Sequence, residues 1–279
     1  MPQQEDSHFL IDNACPKEVE LILRSLRSDE PLSTSQLRAC LKSDFGYEAQ
    51  KNLSFSTRRL VDLGLAKQQI LGGKPGYVLT PPGKKVRSVL YERPDLYADV
   101  MHFLHYDGDP VRRKLFLSYH WCCEIVWDRK EMADTKVIAA EVQSRIATRY
   151  PDMYAQRVGG NFNVGGVDSW KAWIAALSPP PFGAGNPRER KLSPRIRDCY
   201  ELSLLGLDHV YRQRGYRYGD PVLLDETLLD RIAAVFFLDL TCCRRLLEVA
   251  ARLTRIVRLA DTLAGTAITL LEPYTIERI

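Results

Sequence analysis

Glycine and proline punctuate residues 64–83 so closely that only two short extended runs fit between them. Gly64, Gly72, Gly73, Gly76 and Gly83, with Pro75, Pro81 and Pro82, interrupt any helix across this stretch. Leu65 to Ile70 has the apolar bias of a strand, and Tyr77-Val78-Leu79-Thr80 supplies a second. The glycines around Lys74 turn the chain between them, and Pro81-Pro82 removes the N–H donors that would continue the ladder. The spacing predicts a hairpin with a lysine at its tip. Just upstream, Leu53, Leu60 and Val61 fall on one helical face at i, i+7 and i+8, and Gly64 supplies the stop.

Two more helices precede this one. Pro16 opens the first, with Val19, Ile22, Leu23 and Leu26 at core-facing spacing. Leu32-Ser33-Thr34-Ser35 offers hydroxyl caps for the second, which carries Leu37, Cys40 and Leu41 and ends at Gly46. The order helix, helix, helix, hairpin, with Leu60-Val61-Asp62-Leu63-Gly64-Leu65 and Tyr77-Val78-Leu79-Thr80-Pro81-Pro82-Gly83, makes residues 16–90 resemble a bacterial winged helix-turn-helix domain. The resemblance implies that the helix at about 50–63 enters a major groove while the wing lies along the backbone or a minor groove. It places Lys51, Asn52, Ser54, Ser56, Thr57, Arg58 and Arg59 on or near the exposed side of that helix, and Lys67 and Lys74 on the wing. Two blander readings stand beside it. Winged helices also dock proteins, and Arg58 and Arg59 fit solvated cations favoured at a helix C-terminus.

Charge is unevenly spread. The net formal charge is +4, but residues 16–90 hold 13 Lys/Arg against 7 Asp/Glu, an excess of 6. Residues 1–15 hold 3 acids and no base, and residues 91–279 hold 26 Lys/Arg against 25 Asp/Glu. A positive excess confined to the segment that resembles a winged helix suits a phosphate-facing surface.

The C-terminal third repeats the plan. A helix is predicted from Ser193-Pro194 with Ile196, Cys199, Tyr200, Leu204 and Leu207. Asp225 caps a second with Leu228, Leu229, Ile232 and Phe236, and Thr241 a third with Leu246, Val249, Ala250 and Leu253. Arg255–Leu259 and Thr266–Leu271 then form a hairpin closed near Gly265. Arg244, Arg245, Arg252, Arg255 and Arg258 spread over that third helix and first strand, where they suit phosphate, although arginine is equally enriched at protein interfaces.

The middle of the chain is read as helical: Val86 to Leu104 as linking helix, Val137 to Ile146 as another, and Trp170, Trp173, Ile174 and Leu177 on one capped by Asp168-Ser169. Residues 113–178 also fit a degenerate second helix-turn-helix without a wing. The glycines from Gly159 to Gly166 follow neither GxxxxGK[ST] nor GxGxxG order and are read as a flexible turn. His102 and His105 share a helix face, with His120, Cys122 and Cys123 further on, but no second spaced pair completes a metal motif. Tyr119, Trp121 and Trp127 read as core or interface aromatics.

The expected fold is therefore mainly α with small β-hairpin wings: tandem winged-helix-like modules joined by a helical middle region. Its parts are a flexible arm at 1–15, a winged helix at 16–90, a helical domain at 91–178, a linker at 179–192 and the second module at 193–279. With 45% hydrophobic and 27% charged residues, no long apolar run and no signal-peptide order, a cytoplasmic protein with no membrane segment is expected. Seven cysteines without a CxxC suit reduced thiols. No catalytic constellation, metal or cofactor is expected. The expected partner is double-stranded DNA, with a homodimer or a larger protein complex around it, as a transcriptional regulator or the recognition subunit of a DNA-processing or defence assembly. The competing readings are a protein-docking adaptor that does not touch DNA and a nucleic-acid enzyme with an unrecognised site.

Overall fold

The computed structural model describes residues 9–49, 53–71, 73–109, 114–155, 162–182 and 191–279. The fold is mainly helical with two small three-stranded antiparallel sheets. Two compact units divide the chain: residues 1–125 with 133–178, and residues 126–132 with 179–279. The segments expected as a separate winged helix and helical middle domain thus share one unit, apart from 126–132. Among the described residues no helix is long and apolar enough to cross a membrane.

The first unit opens with α1 (Pro16–Ser25), β1 (Leu32–Ser33), α2 (Thr34–Phe45), α3 (Leu53–Asp62), β2 (Ala66–Leu71) and β3 (Lys74–Leu79). Proline begins α1, where its missing N–H leaves no helical bond unmade, and Val19, Ile22, Leu23 and Leu26 are all buried. Ser33 forms a capping box with Gln36, and Gly46 ends α2 at φ 62°. β1 is a strand the sequence did not announce: two residues long, it lies on the far side of β3 from β2.

Instead of simply ending the ladder, Pro81-Pro82 starts the next helix, with the Thr80 hydroxyl accepting from Gly83 N at 3.1 Å. The expected linking helix is two, α4 (Pro81–Glu92) and α5 (Pro94–Tyr106), and α6 (Leu115–Arg129) comes after them. There follow α7 (Thr135–Arg149), α8 (Pro151–Ala155) and α9 (Val164–Ala175). The cap of α9 is Asn163, not Asp168-Ser169, so Gly165 and Gly166 form its first turn and no loop there. Gly159 and Gly160 lie outside the described residues. The segment before α1 is no loose arm over its described part, because Phe9, Ile11 and Ala14 are buried.

The second unit holds α10 (Tyr200–Arg214), β4 (Val222–Leu223), α11 (Glu226–Phe236), α12 (Leu240–Leu253), β5 (Val257–Thr262) and β6 (Gly265–Leu270). The expected helix at 193 begins seven residues later, at Tyr200. Residues 193–199 run extended because Arg195 is claimed by the core: its backbone bridges Leu238, and its guanidinium donates to the carbonyls of Pro179 (2.7 Å) and Phe236 (3.1 Å). Ile196, expected inside, is exposed. Asp239 caps α12 in place of Thr241. The ends of the expected linker are tied, with Phe182 bridged to Leu192 and Lys191 to Glu131. Residues 183–190 lie outside the described set.

The two six-element runs share one topology. The sheet orders are β1-β3-β2 and β4-β6-β5. Ala66↔Leu79 to Leu71↔Lys74 in the first hairpin become Val257↔Leu270 to Thr262↔Gly265 in the second, every pair displaced by 191 residues. The short strands pair at the same place with a one-residue offset: Leu32 pairs Tyr77, and Val222, 190 beyond Leu32, pairs Ile268, 191 beyond Tyr77. The left-handed caps Gly46 and Phe237 are also 191 apart. Tyr211 pins α10 to the second sheet, its hydroxyl accepting from Leu270 N at 3.1 Å and facing the Ile268 carbonyl at 3.1 Å. Asp208, one turn earlier and buried, accepts from Arg212 Nε (2.7 Å), the Tyr218 hydroxyl (3.0 Å) and Tyr274 N (3.0 Å).

Candidate nucleic-acid interface

Helix α3 is turned further into the unit than its leucines implied. Leu53, Ser56, Thr57 and Leu60, at i, i+3, i+4 and i+7, form the buried stripe, and α3 packs on α1. Ser56 Oγ donates to Glu18 Oε1 at 2.6 Å, and Glu18 itself is buried in α1. Thr57 Oγ1 closes on the carbonyls of Leu53 (3.4 Å) and Ser54 (3.2 Å) in its own helix. A hydroxyl bonded within its helix or to a buried acid enters a core without an unmet polar group. Ser56 and Thr57 are therefore not on the exposed side.

Arg59 is not there either. It is 1% exposed, and Nη2 reaches the Asp12 carbonyl at 3.5 Å while Nε and Nη1 have no hydrogen-bond partner among the described residues. Burial pushes its pKa down, and the nearby carboxylates of Asp62 and Asp12 pull the other way. The outer face of α3 is left to Ser54 and Arg58, four residues apart and both exposed. Arg58 Nη1 lies 3.7 Å from Asp12 Oδ2, a solvent-screened pair that holds the guanidinium only loosely. Lys51 and Asn52 lie outside the described residues. On the hairpin Lys67 is exposed opposite Val78, and Lys74 is exposed at the first position of β3.

In the second unit the arginines divide. Arg244 is half-buried, and Arg245 is exposed but engaged, donating to Asp198 Oδ1 at 2.8 Å and the Arg197 carbonyl at 3.4 Å. Arg252 and Arg255 are exposed and form no ion pair among the described residues. Arg258 is likewise exposed on β5 and occupies the position of Lys67 in the displaced register. Along both hairpins only Leu79 and Leu270 are identical at corresponding positions.

The histidine group is part of the first unit's interior. His102 Nδ1 lies 3.0 Å from the Tyr119 hydroxyl, and His105 Nδ1 donates to the Met101 carbonyl at 2.6 Å. The His105 ring stacks on Tyr119 and meets Trp173. Burial pushes the His105 pKa well down, aided by the charge of Arg59, and pushes the thiols of Cys122 and Cys123 up. Among the described residues no group of three His, Cys, Asp or Glu side chains is placed to hold a metal ion. Tyr119, Trp121 and Trp127 are buried, with Trp127 Nε1 donating to Asp230 at 3.1 Å. No protein-family profile matches the chain, and no curated protein matches it.

Proposed function

We propose that the chain is a duplex-DNA-binding protein whose two six-element runs act as winged-helix modules. The observation that carries this reading is the recurrence itself: the same helix and strand order, the same sheet order and a hairpin register displaced by a constant 191 residues. In such a module the third helix meets a groove and the hairpin flanks it. Here that assigns Ser54 and Arg58 of α3 and Lys67 and Lys74 of the first hairpin to DNA, with Arg252, Arg255 and Arg258 in the second run. Ser56, Thr57 and Arg59 take no part. The setting is the cytoplasm, and the role is that of a transcriptional regulator or of the recognition subunit of a DNA-processing or defence assembly.

A protein-docking adaptor is the second reading. It draws on the small outer face of α3 and on exposed apolar residues, Ile70 and Leu263, towards the ends of the two hairpins. Fluorescence anisotropy with a labelled mixed-sequence duplex separates the two. The DNA reading expects Lys67→Ala with Lys74→Ala to weaken binding of all sequences about equally, since wing lysines contact backbone. Unchanged duplex affinity in that variant would take the first hairpin out of the interface.

A further inference from the structure

The duplication is unequal in charge. From Leu240 to Ala260 the chain carries Arg244, Arg245, Arg252, Arg255 and Arg258 against a single acid, Glu248. Arg244 is half-buried and Arg245 is held by Asp198, which leaves Arg252 in the last turn of α12, Arg255 in the connection and Arg258 on β5. All three are exposed and recur every third residue, with no ion pair among the described residues. The corresponding positions in the first run are Val61, Gly64 and Lys67, so only the last is cationic in both. Helix-end stabilisation accounts for Arg252 but not for Arg255 or Arg258.

The hairpin tips differ in the opposite sense. Lys74 in the first corresponds to Gly265 in the second, and Ile70 to Asp261, whose carboxylate accepts from the Thr266 hydroxyl at 3.2 Å. A carboxylate beside the tip repels phosphate, and Leu263, fully exposed at the turn, offers it nothing. We propose that the second run meets the nucleic-acid backbone through its helix-to-strand junction, with Arg252, Arg255 and Arg258 on successive phosphates, while the first run uses its hairpin lysines. Three guanidiniums strung along seven residues match a polymer of spaced phosphates better than one free anion.

This inference rests on the DNA reading above. The test uses the full chain and the labelled mixed-sequence duplex at several salt concentrations. It compares wild type with Arg252→Gln/Arg255→Gln/Arg258→Gln and with a control of equal charge loss in the same unit, Arg214→Gln/Arg217→Gln/Arg231→Gln. Circular dichroism melting checks that both variants fold, as expected for exposed positions. The junction variant should lose at least about tenfold in affinity, and its log–log salt slope should flatten by about 0.9 for each phosphate contact removed. The control should stay close to wild type. Equal losses in both variants would reduce the effect to net charge and overturn the inference, as would a junction variant that binds like wild type. In either case duplex binding by the wild type would leave the DNA reading standing. No duplex binding by the wild type at low salt would overturn that reading and this inference with it.

Discussion

The Ser56 hydroxyl donates a 2.6 Å hydrogen bond to the Glu18 carboxylate, and both residues are buried where α3 packs on α1. The bond holds inward a residue that the winged-helix resemblance placed on or near the exposed side. Ser56→Ala removes a donor from a buried acceptor and should cost about 1–3 kcal/mol of stability. Urea unfolding measures it, and duplex affinity of the folded variant should not change.

Arg59 allows a sharper test of inside against outside. Its guanidinium is buried beside the Asp62 and Asp12 carboxylates, with two donor nitrogens unbonded among the described residues. Arg59→Met takes the cation away from Asp62 and Asp12 and should destabilise, and Arg59→Ala adds a cavity and should cost about 2 kcal/mol more. Neither should alter the salt slope of duplex binding. A flatter slope in Arg59→Met would return this residue to the interface.

Acid sensitivity is expected at Glu124. Burial alone would raise its carboxyl, but the hydrogen bond and charge of His120 (3.3 Å) and the Arg145 ion pair (2.8 Å) outweigh it and hold the pKa below the ordinary 4.5. A carboxyl depressed in the folded state adds stability that is present above that ordinary value and is lost as pH falls through the depressed one. Glu124→Gln should therefore lower stability at neutral pH and flatten its decline on acidification. Urea midpoints measured across the acid range give the comparison.

Gly265 closes the second hairpin at φ 126°, a backbone region open to glycine and closed to branched side chains. A Cβ there would meet only Leu223 Cδ1 at 3.5 Å, an ordinary contact, so any penalty is conformational and not steric crowding. Gly265→Val should cost about 1 kcal/mol or more. Thermal melting reads it.

Element types were legible where local chemistry decides them. Pro16, Ser33, Gly46, Asp225 and the glycine-rich turn before Lys74 each set an end or a turn from a few neighbouring atoms, and the helices and hairpins follow. The second hairpin was expected over 255–259 and 266–271 and lies at 257–262 and 265–270, because alternation marks strands better than their ends. β1 and β4 were missed because a two-residue strand has no period to detect. The candidate interface was half legible. Arg58, Lys67, Lys74, Arg252 and Arg255 are exposed as expected, while Arg59 looks like its neighbour Arg58 in sequence and differs only by facing the core. Likewise Ser193-Pro194 looks like a helix start, but Arg195 is held by partners distant in sequence, its backbone bridged to Leu238 and its guanidinium on the carbonyls of Pro179 and Phe236.

Duplex affinity of the wild-type chain as a function of salt tests the central claim most directly. Binding through Arg58, Lys67, Lys74 and the Arg252–Arg258 junction releases counterions, so log affinity should fall linearly with log salt, with a slope of about −0.9 for each phosphate contacted. A steep linear fall is the expected result. No measurable binding at low salt, or binding indifferent to salt, would contradict it.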